Sequence, residues 1–569
     1  MQFKIMFSKL TVALLFLVLI TAVSIYSDTG SNNISADSIF NPQHILEIKI
    51  TMAEKDWDLM RKERHDVVAA LGPNRIEKPE PDPYNIYKAE VVIDGVKYLP
   101  VGIKKRGFLG STSLRKPSLG IRFNEYDKQS KFGGLKRLSL NNNQQDPSFV
   151  HQFLTYKIFR EAGIPAPLCN FAKVYVNGKY LGIYSNVEAI TDEFLKKHFG
   201  DDSGNLYEGQ LSDFRPVWVE TFEKKNNKSK GKDDLLLLTK AFELDDDHLI
   251  EQLNELIDFD EYLTYWATEV LTGHWDSYSN NGNNFFVYNN PAKKKFVFIP
   301  WGADSTFGDV DPYSPSNKPL TVMATSILPW RLYKIEKTRE QYRERLRKLL
   351  DTVWNENALS NTVEQLETML KPHIESDHNH FNSALNRVKN FIQNRRSALK
   401  KELDAPAPEW NSPLRQSNIL QKIGQFTADF DTYWRGLSYN NSDTRTKANF
   451  RMFLDGKRQW FIGSSVSAGP IKGPRFNNFP SIAFFGIEIR TGKWLIPVLI
   501  IDPEFIESNK PIKIDNTAVF GAVIEGKILE FNIKSLNLMS GTIFLNKIGT
   551  NVNERISGKI QADIYKFLK

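Results

Sequence analysis

The sequence predicts an α+β core followed by an all-β domain, and three observations carry that reading. Up to about residue 190, strand-like runs alternate with glycine-bearing turns. From about residue 235, apolar residues recur at helical spacing, as in Leu263, Trp266 and Val270. Beyond the proline-punctuated stretch Ala405–Pro413, the helical pattern gives way to strands separated by turn signals. The 569 residues suffice for several folding units. With 41% hydrophobic and 25% charged residues, the chain is not globally disordered, collagen-like or polytopic in a membrane. A net charge of +7 over that length falls short of the concentrated basic face of a nucleic-acid binder, and no nucleic-acid partner is expected. The single cysteine, Cys169, excludes intrachain disulfides, a CxxC redox pair and a cysteine-rich zinc site, and between Leu168 and Phe171 it reads as a small buried hydrophobe.

Taken in order, Lys4 and Lys9 precede a nearly unbroken apolar run from Leu10 to Ile20, followed by small and polar residues from Ala22 to Ser27. That is the order of a secretory signal, with the lysines held on the cytoplasmic side. The body of the protein is therefore expected to be exported, whether secreted, periplasmic or at the cell surface. Extension of the run to Tyr26 approaches a bilayer span and no A-x-A site is visible, so residues 1–27 read as a signal peptide or an N-terminal anchor. Contact with a membrane is expected only there. His44–Met60 reads as a strand and the start of a helix, and Ile86–Phe123 as strands with a turn at Asp94-Gly95. Asp146-Pro147-Ser148 opens a helix that buries Phe149, Phe153, Tyr156 and Ile158 and closes at Gly163 and Pro165. A hairpin turns at Asn177-Gly178. Glu223–Asp234, EKKNNKSKGKDD, reads as a solvated inserted loop. Helices then dominate to Leu403, broken by the hairpin FFVYNNPAKKKFVFIPW. From residue 417 the strands suggest a sandwich or open barrel. Its aromatics Trp434, Trp460, Phe484, Phe485 and Trp494 read mainly as core, with stacking on sugars or peptides as the alternative.

The richest chemistry lies in Trp275–Gly308, WDSYSNNGNNFFVYNNPAKKKFVFIPWGADSTFG. Asp276 follows a helix, Asn281 comes five residues later, a hairpin intervenes, and Asp304 precedes Phe307-Gly308. Protein kinases use that order: a loop Asp orients the accepting hydroxyl, an Asn helps to hold a metal ion, and an Asp beyond a hairpin binds magnesium. Hard oxygen ligands of this kind suit Mg²⁺ rather than zinc. The competing reading is that Asp276 caps a turn and the asparagines satisfy loop backbone. On a helix, His373, Asp377 and His380 would share one face, which reads as polar surface before it reads as a metal site. No GxSxG, HExxH or P-loop motif is present.

Several ordered motifs resemble the CotH family of atypical kinase-like proteins over about residues 38 to 400. They are Arg106-Gly107 with Ser111-Thr112-Ser113 and Lys116-Pro117-Ser118, GLKRLSLNNNQQDPSF, FREAGIPAP, YVNGKYLGIYSNVEAITDEFLKKHFGDDSGNLYE, WDSYSNNGNNFFVY and FIPWGADSTFG. The resemblance implies a two-lobed protein-kinase-like core over residues 28–402, β-rich to about 190 and helical after about 235. A linker at 403–416 and an accessory β domain at 417–569 would follow. It also implies ATP with Mg²⁺ or Mn²⁺, and transfer of the γ-phosphoryl to Ser or Thr of a secreted or surface protein. Carried onto this sequence, Asp276 is the catalytic-loop acid with Asn281 beside it, and Asp304 and Asn284 hold metal. Arg106 and Lys116 contact phosphates, and Glu188 lies beside the base. Three sites depart from the family pattern: Gly302 replaces the first acid of PWDLD, the pair His151-Gln152 replaces Arg-Glu, and Gly120 replaces a basic residue in its strand. They open a second expectation, a catalytically silent pseudokinase scaffold at the cell surface whose β domain binds a protein or glycan. A third takes Asp276 and Asp304 as a glycosidase pair, which would act on a polysaccharide without nucleotide.

Overall fold

The computed structural model describes residues 36–226, 231–308, 318–375, 378–417, 419–437, 446–473, 476–506, 510–527, 533–549 and 551–568. The expected signal or anchor at 1–27 lies outside them, as do Asp377 and residues 227–230 of the charged insertion. Among the described residues no helix is long and apolar enough to cross a membrane.

Seven strands close into a barrel: β1 (Ile45–Thr51), β2 (Ile86–Ile93), β3 (Val96–Arg106), β4 (Ser118–Arg122), β5 (Arg137–Asn141), β6 (Cys169–Val176) and β7 (Lys179–Glu188). Their order is β1-β2-β3-β4-β5-β7-β6, with β1 and β6 parallel and every other pair antiparallel. The two tight hairpins sit where the sequence places them. Asp94-Gly95 and Asn177-Gly178 all have positive φ, the geometry whose twist matches the flanking strands. Alternate residues such as Ile48, Val91, Ile103, Ile121, Leu138 and Val174 fill the barrel. The opposite parity on β3, β4 and β5 carries polar and basic side chains outward.

Helix α1 (Glu54–Lys62) and the short α2 (Val67–Leu71) follow β1. Helix α3 (His151–Glu161) begins later than its apolar spacing suggests, because the Asp146 carboxylate accepts hydrogen bonds from Ser148 N at 2.9 Å and His151 N at 2.8 Å. A four-stranded sheet in the order β11-β10-β8-β9 joins β8 (Leu206–Gly209) and β9 (Phe222–Lys224) to the hairpin β10 (Phe285–Asn290) and β11 (Lys295–Pro300). Helix α4 (Phe259–Thr272), ending at the left-handed Gly273, and the long α5 (His378–Leu403) pack with other helices in a core that holds Trp218, Trp266 and Trp354. There the Trp266 and Tyr342 rings stack at 3.8 Å.

Among the described residues between Leu420 and Phe567, ten strands form one further sheet. It curls until Trp434 bridges to Ala468 and encloses a core of its own around Phe426, Phe430 and Phe484. Trp434 and Phe484 are buried as the sequence suggests, Phe485 and Trp494 are half-buried, and Trp460 is 46% exposed. This domain docks on the barrel's flanking helices. Ile419, Leu420, Leu538 and Tyr565 pack on Val67, Ala70 and Leu71, with Phe108 and Leu109 alongside. Arg64 pairs with the buried Asp515 at 2.6 Å, Arg61 with Glu504, and Ile419 N donates to Leu71 O at 3.0 Å.

Candidate active site

Beyond α4 the chain runs through His274 and Trp275 to Asp276, where the asparagine-rich loop turns back on itself. The Asp276 carboxylate accepts hydrogen bonds from the side-chain amides of Asn281, Asn283 and Asn284, the last at 2.8 Å, and Asn284 also donates to the Asp276 main-chain oxygen at 2.9 Å. Asn284 adopts a positive φ of 54°, a conformation that asparagine tolerates better than most residues. The buried Glu269 of α4 accepts from Ser279 N at 3.2 Å and ties the loop to the helix. Burial pushes the Asp276 carboxyl up, and the three amides oppose it by favouring the charged form. Sequence reasoning picked Asn281 and Asn284 from this cage and missed Asn283, although the run of asparagines was the signal.

The β10–β11 hairpin folds the chain back so that Trp301 N donates to Asn284 O at 3.1 Å, and Asp304 follows, 5% exposed. Asn141 Nδ2 of β5 lies 3.3 Å from its carboxylate, and His151 Nδ1 donates to its main-chain oxygen at 2.7 Å. Burial first, and the Asp276 charge second, push the Asp304 carboxyl up to about 7. The half-buried Asp276 and the buried Asp304, whose side-chain hydrogen bonds come from amides, face one space and form a donor set that a divalent cation would stabilise. Among the described residues no three His, Cys, Asp or Glu side chains group to hold a metal by themselves. A Mg²⁺ or Mn²⁺ held by Asp304 and Asn284 would complete its shell with substrate phosphate oxygens, the usual habit of Mg²⁺.

That acid has a measurable consequence for the metal-free protein. The folded-state value of Asp304 lies above that of an unfolded carboxyl, so folding favours its protonated form. The stability this confers is complete below about pH 4 and lost as pH rises through about 7, on the order of a few kcal/mol for a shift of that size. Thermal unfolding in chelator is expected to show wild type losing more stability between pH 5 and 8 than Asp304→Asn. Parallel pH profiles would show that Asp304 is not perturbed.

Asp276, Asn281, Asn284 and Asp304 line one side of a cleft of about 890 Å³, and Arg106 lines the barrel side. The structure therefore brings together five of the residues singled out from sequence. It does not bring in Glu188 or Lys116. On β7 the side chain of Val187 takes the cleft-facing position, and alternation turns Glu188 away, where it accepts from Leu168 N at 2.9 Å and lies 3.9 Å from Lys197. Lys116 Nζ is sandwiched 5.2 Å from the Phe149 ring and 5.1 Å from the Tyr184 ring, and burial lowers its pKa to about 8.

Two of the three departures have a visible accommodation. Gly302 has φ 51°, and a Cβ there would meet Asn284 Oδ1 at 2.3 Å, so a neutral amide oxygen fills the place of the missing acid. A Cβ on Gly120 would lie 3.1 Å from Arg106 Cδ, so the Arg106 stem covers the vacant position and brings its own cation. Gln152 is buried on the cleft wall with Nε2 lacking a partner. Sequence reasoning missed other lining residues. Lys224, Lys225 and Lys232 belong to the segment read as solvated loop, and Arg415 belongs to the linker. The charge run gave no means of telling a solvated loop from a cleft edge.

The sequence model of the family described as CotH kinase protein matches residues 103–399, just over half of the chain. Inner spore coat protein H of Bacillus subtilis strain 168 is 24% identical over 328 residues, 54% of this chain and 88% of that protein. Invasin CotH2 of Rhizopus delemar is 23% identical over 276 residues, 43% of this chain and 46% of that protein. Among solved structures, the Helicobacter pylori proinflammatory kinase CtkA covers 53% of this chain and 92% of its own, with 12% identity and a TM-score of 0.27.

Proposed function

The chain belongs to the CotH family, and from that membership we propose that it is an exported phosphotransferase, moving the γ-phosphoryl of ATP to Ser or Thr of a secreted or surface protein. One observation carries the reading: Asp276 and Asp304, 28 residues apart in sequence, meet in a single cleft that Arg106 also lines, its guanidinium 5.7 Å from the Trp301 ring. Asp276, held in place by its asparagine cage, accepts the proton of the acceptor hydroxyl as the new O–P bond forms. The bond between the γ-phosphorus and its bridging oxygen breaks, and ADP leaves with that oxygen. Asn281 and Asn283 keep the carboxylate aimed, and Arg106 offsets charge on the phosphoryl oxygens. A divalent ion at Asp304 and Asn284 would supply charge neutralisation of the phosphates.

The test is thermal unfolding with and without ATP and Mn²⁺ or Mg²⁺, in wild type and Asp304→Ala. A ligand that binds only the native state adds about 2.7 kcal/mol at a hundred times its Kd, which raises the midpoint by several degrees. A metal-dependent rise lost in Asp304→Ala is expected. No rise at millimolar nucleotide would overturn the reading. The silent-scaffold reading is then the one to pursue, and one observation favours it. Trp460, Ile462, Ile487 and Ile489 form two neighbouring cross-strand pairs, all between 38% and 59% exposed, on the outer face of the β domain.

A further inference from the structure

Three arginines on adjacent strands line the barrel wall of the cleft: Arg106 on β3, Arg122 on β4 and Arg137 on β5. Arg122 and Arg137 are direct cross-strand partners, an opposition of like charges that destabilises a sheet. Among the described residues, little offsets it. Arg122 reaches Glu125 only at 3.4 Å, whereas Arg106 and Arg137 have no carboxylate within ion-pair distance. The other acids that face them are engaged, Glu193 with Lys136 at 2.7 Å and Glu208 with Lys225 at 2.7 Å. Burial, then Arg122 and Arg106, hold the Arg137 guanidinium below its ordinary value. Two buried polar atoms that line the cleft also lack a partner: Ser139 Oγ on β5 and Gln152 Nε2 on α3. On β5, Arg137, Ser139 and Asn141 are spaced two residues apart, about 7 Å per step, and all three line the cleft. At the end of that row, Asn141 Nδ2 meets the Asp304 carboxylate at 3.3 Å.

We propose that this row cradles a chain of phosphate groups, with Arg122 and Arg137 at one end, Arg106, the Ser139 hydroxyl and the Gln152 amide between, and Asp304 at the other. It rests on the phosphotransfer reading only for the nucleoside that would carry the phosphates. Guanidinium groups suit this role because their fork of N–H donors matches phosphate oxygens. A neutral Gln152 suits it as well, since a carboxylate at that point would repel the anion that the arginines attract. The cradle thus takes over, with guanidiniums from three strands, a task that ordinary kinases give to one lysine with its carboxylate partner.

Inorganic tripolyphosphate is the probe, titrated calorimetrically into the full chain in chelator. Wild type is expected to bind it, more weakly as salt rises. Arg137→Gln and Arg122→Gln are each expected to weaken binding roughly 10- to 100-fold, the range for loss of a charge-assisted hydrogen bond. Without ligand, each variant should unfold at the same temperature as wild type or higher, because one of two opposed charges has gone; a merely structural arginine would give a lower midpoint. Equal binding by wild type and Arg137→Gln, or no binding by wild type at millimolar probe, overturns the cradle. If ATP stabilises the chain while tripolyphosphate ignores the arginines, the cradle fails and the phosphotransfer reading stands. If tripolyphosphate binds through the arginines and ATP has no effect, the cradle stands and that reading fails.

Discussion

An Asp276→Asn protein is expected to release ADP and label acceptor hydroxyls roughly 10²- to 10⁴-fold more slowly than wild type, the usual worth of a positioned proton acceptor. The same protein should keep most of its stabilisation by ATP and metal. The two effects separate because the two acids stand in different surroundings. Asp276 is wrapped by the amides of Asn281, Asn283 and Asn284, a setting that favours its charged form against burial. Asp304 has one amide at 3.3 Å and the Asp276 charge working against it. Removing the Asp276 charge relieves that repulsion, so Asp304 ionises at lower pH and its affinity for a cation is preserved. Steady-state turnover of the variant, paired with its thermal shift, decides the matter. Turnover within tenfold of wild type would remove Asp276 from the reaction, and loss of the thermal shift would make it a binding group.

Much of this was legible in the sequence, for reasons particular residues make plain. Asp94-Gly95 and Asn177-Gly178 announced their hairpins because few other pairs accept positive φ at both positions. The run from Trp275 to Gly308 placed two acids on either side of a hairpin, and a hairpin of that length has to bring its ends together. What the sequence could not show was direction. Arg137, Ser139 and Asn141 sit in a strand whose alternation is visible, but which parity faced the cleft depended on a barrel closed by β6 against β1, a pairing of segments more than a hundred residues apart. Glu188 was misplaced for the same reason, one residue from the cleft-facing Val187. Gly302 and Gly120 looked like losses because the side chains that occupy their space, Asn284 and Arg106, come from elsewhere in the chain.

The segment read as a plain linker brings the second large effect. After α5, Trp410 Nε1 donates to Ala324 O and Trp330 Nε1 donates to Ser412 O at 3.0 Å, so the chain is strapped along the helical region. It arrives at Arg415, whose main-chain N donates to Thr325 O at 2.9 Å and whose main-chain O accepts from Arg215 at 2.8 Å. Thus fixed, the Arg415 guanidinium donates to Asn281 Oδ1, which leaves the Asn281 amide nitrogen turned toward Asp276. Its charge also favours the ionised form of Asp276. Arg415→Ala would free Asn281 to rotate and raise the Asp276 carboxyl further. Turnover is expected to fall roughly 10- to 100-fold, as for loss of a charge-assisted hydrogen bond of about 1.5–3 kcal/mol. The acidic limb of the pH–rate profile should move to higher pH, whereas Arg415→Lys, which keeps the charge, should move it less. A lowered rate with an unmoved profile would mean that Arg415 only supports the loop. The residue lies beyond the stretch that matches the family, at the threshold of a β domain anchored to α1 and α2 through Arg61, Arg64 and Ile419. Two hydrogen bonds, Arg415 to Asn281 and Asn281 to Asp276, therefore tie the segment that leads into the β domain to the carboxylate in the cleft.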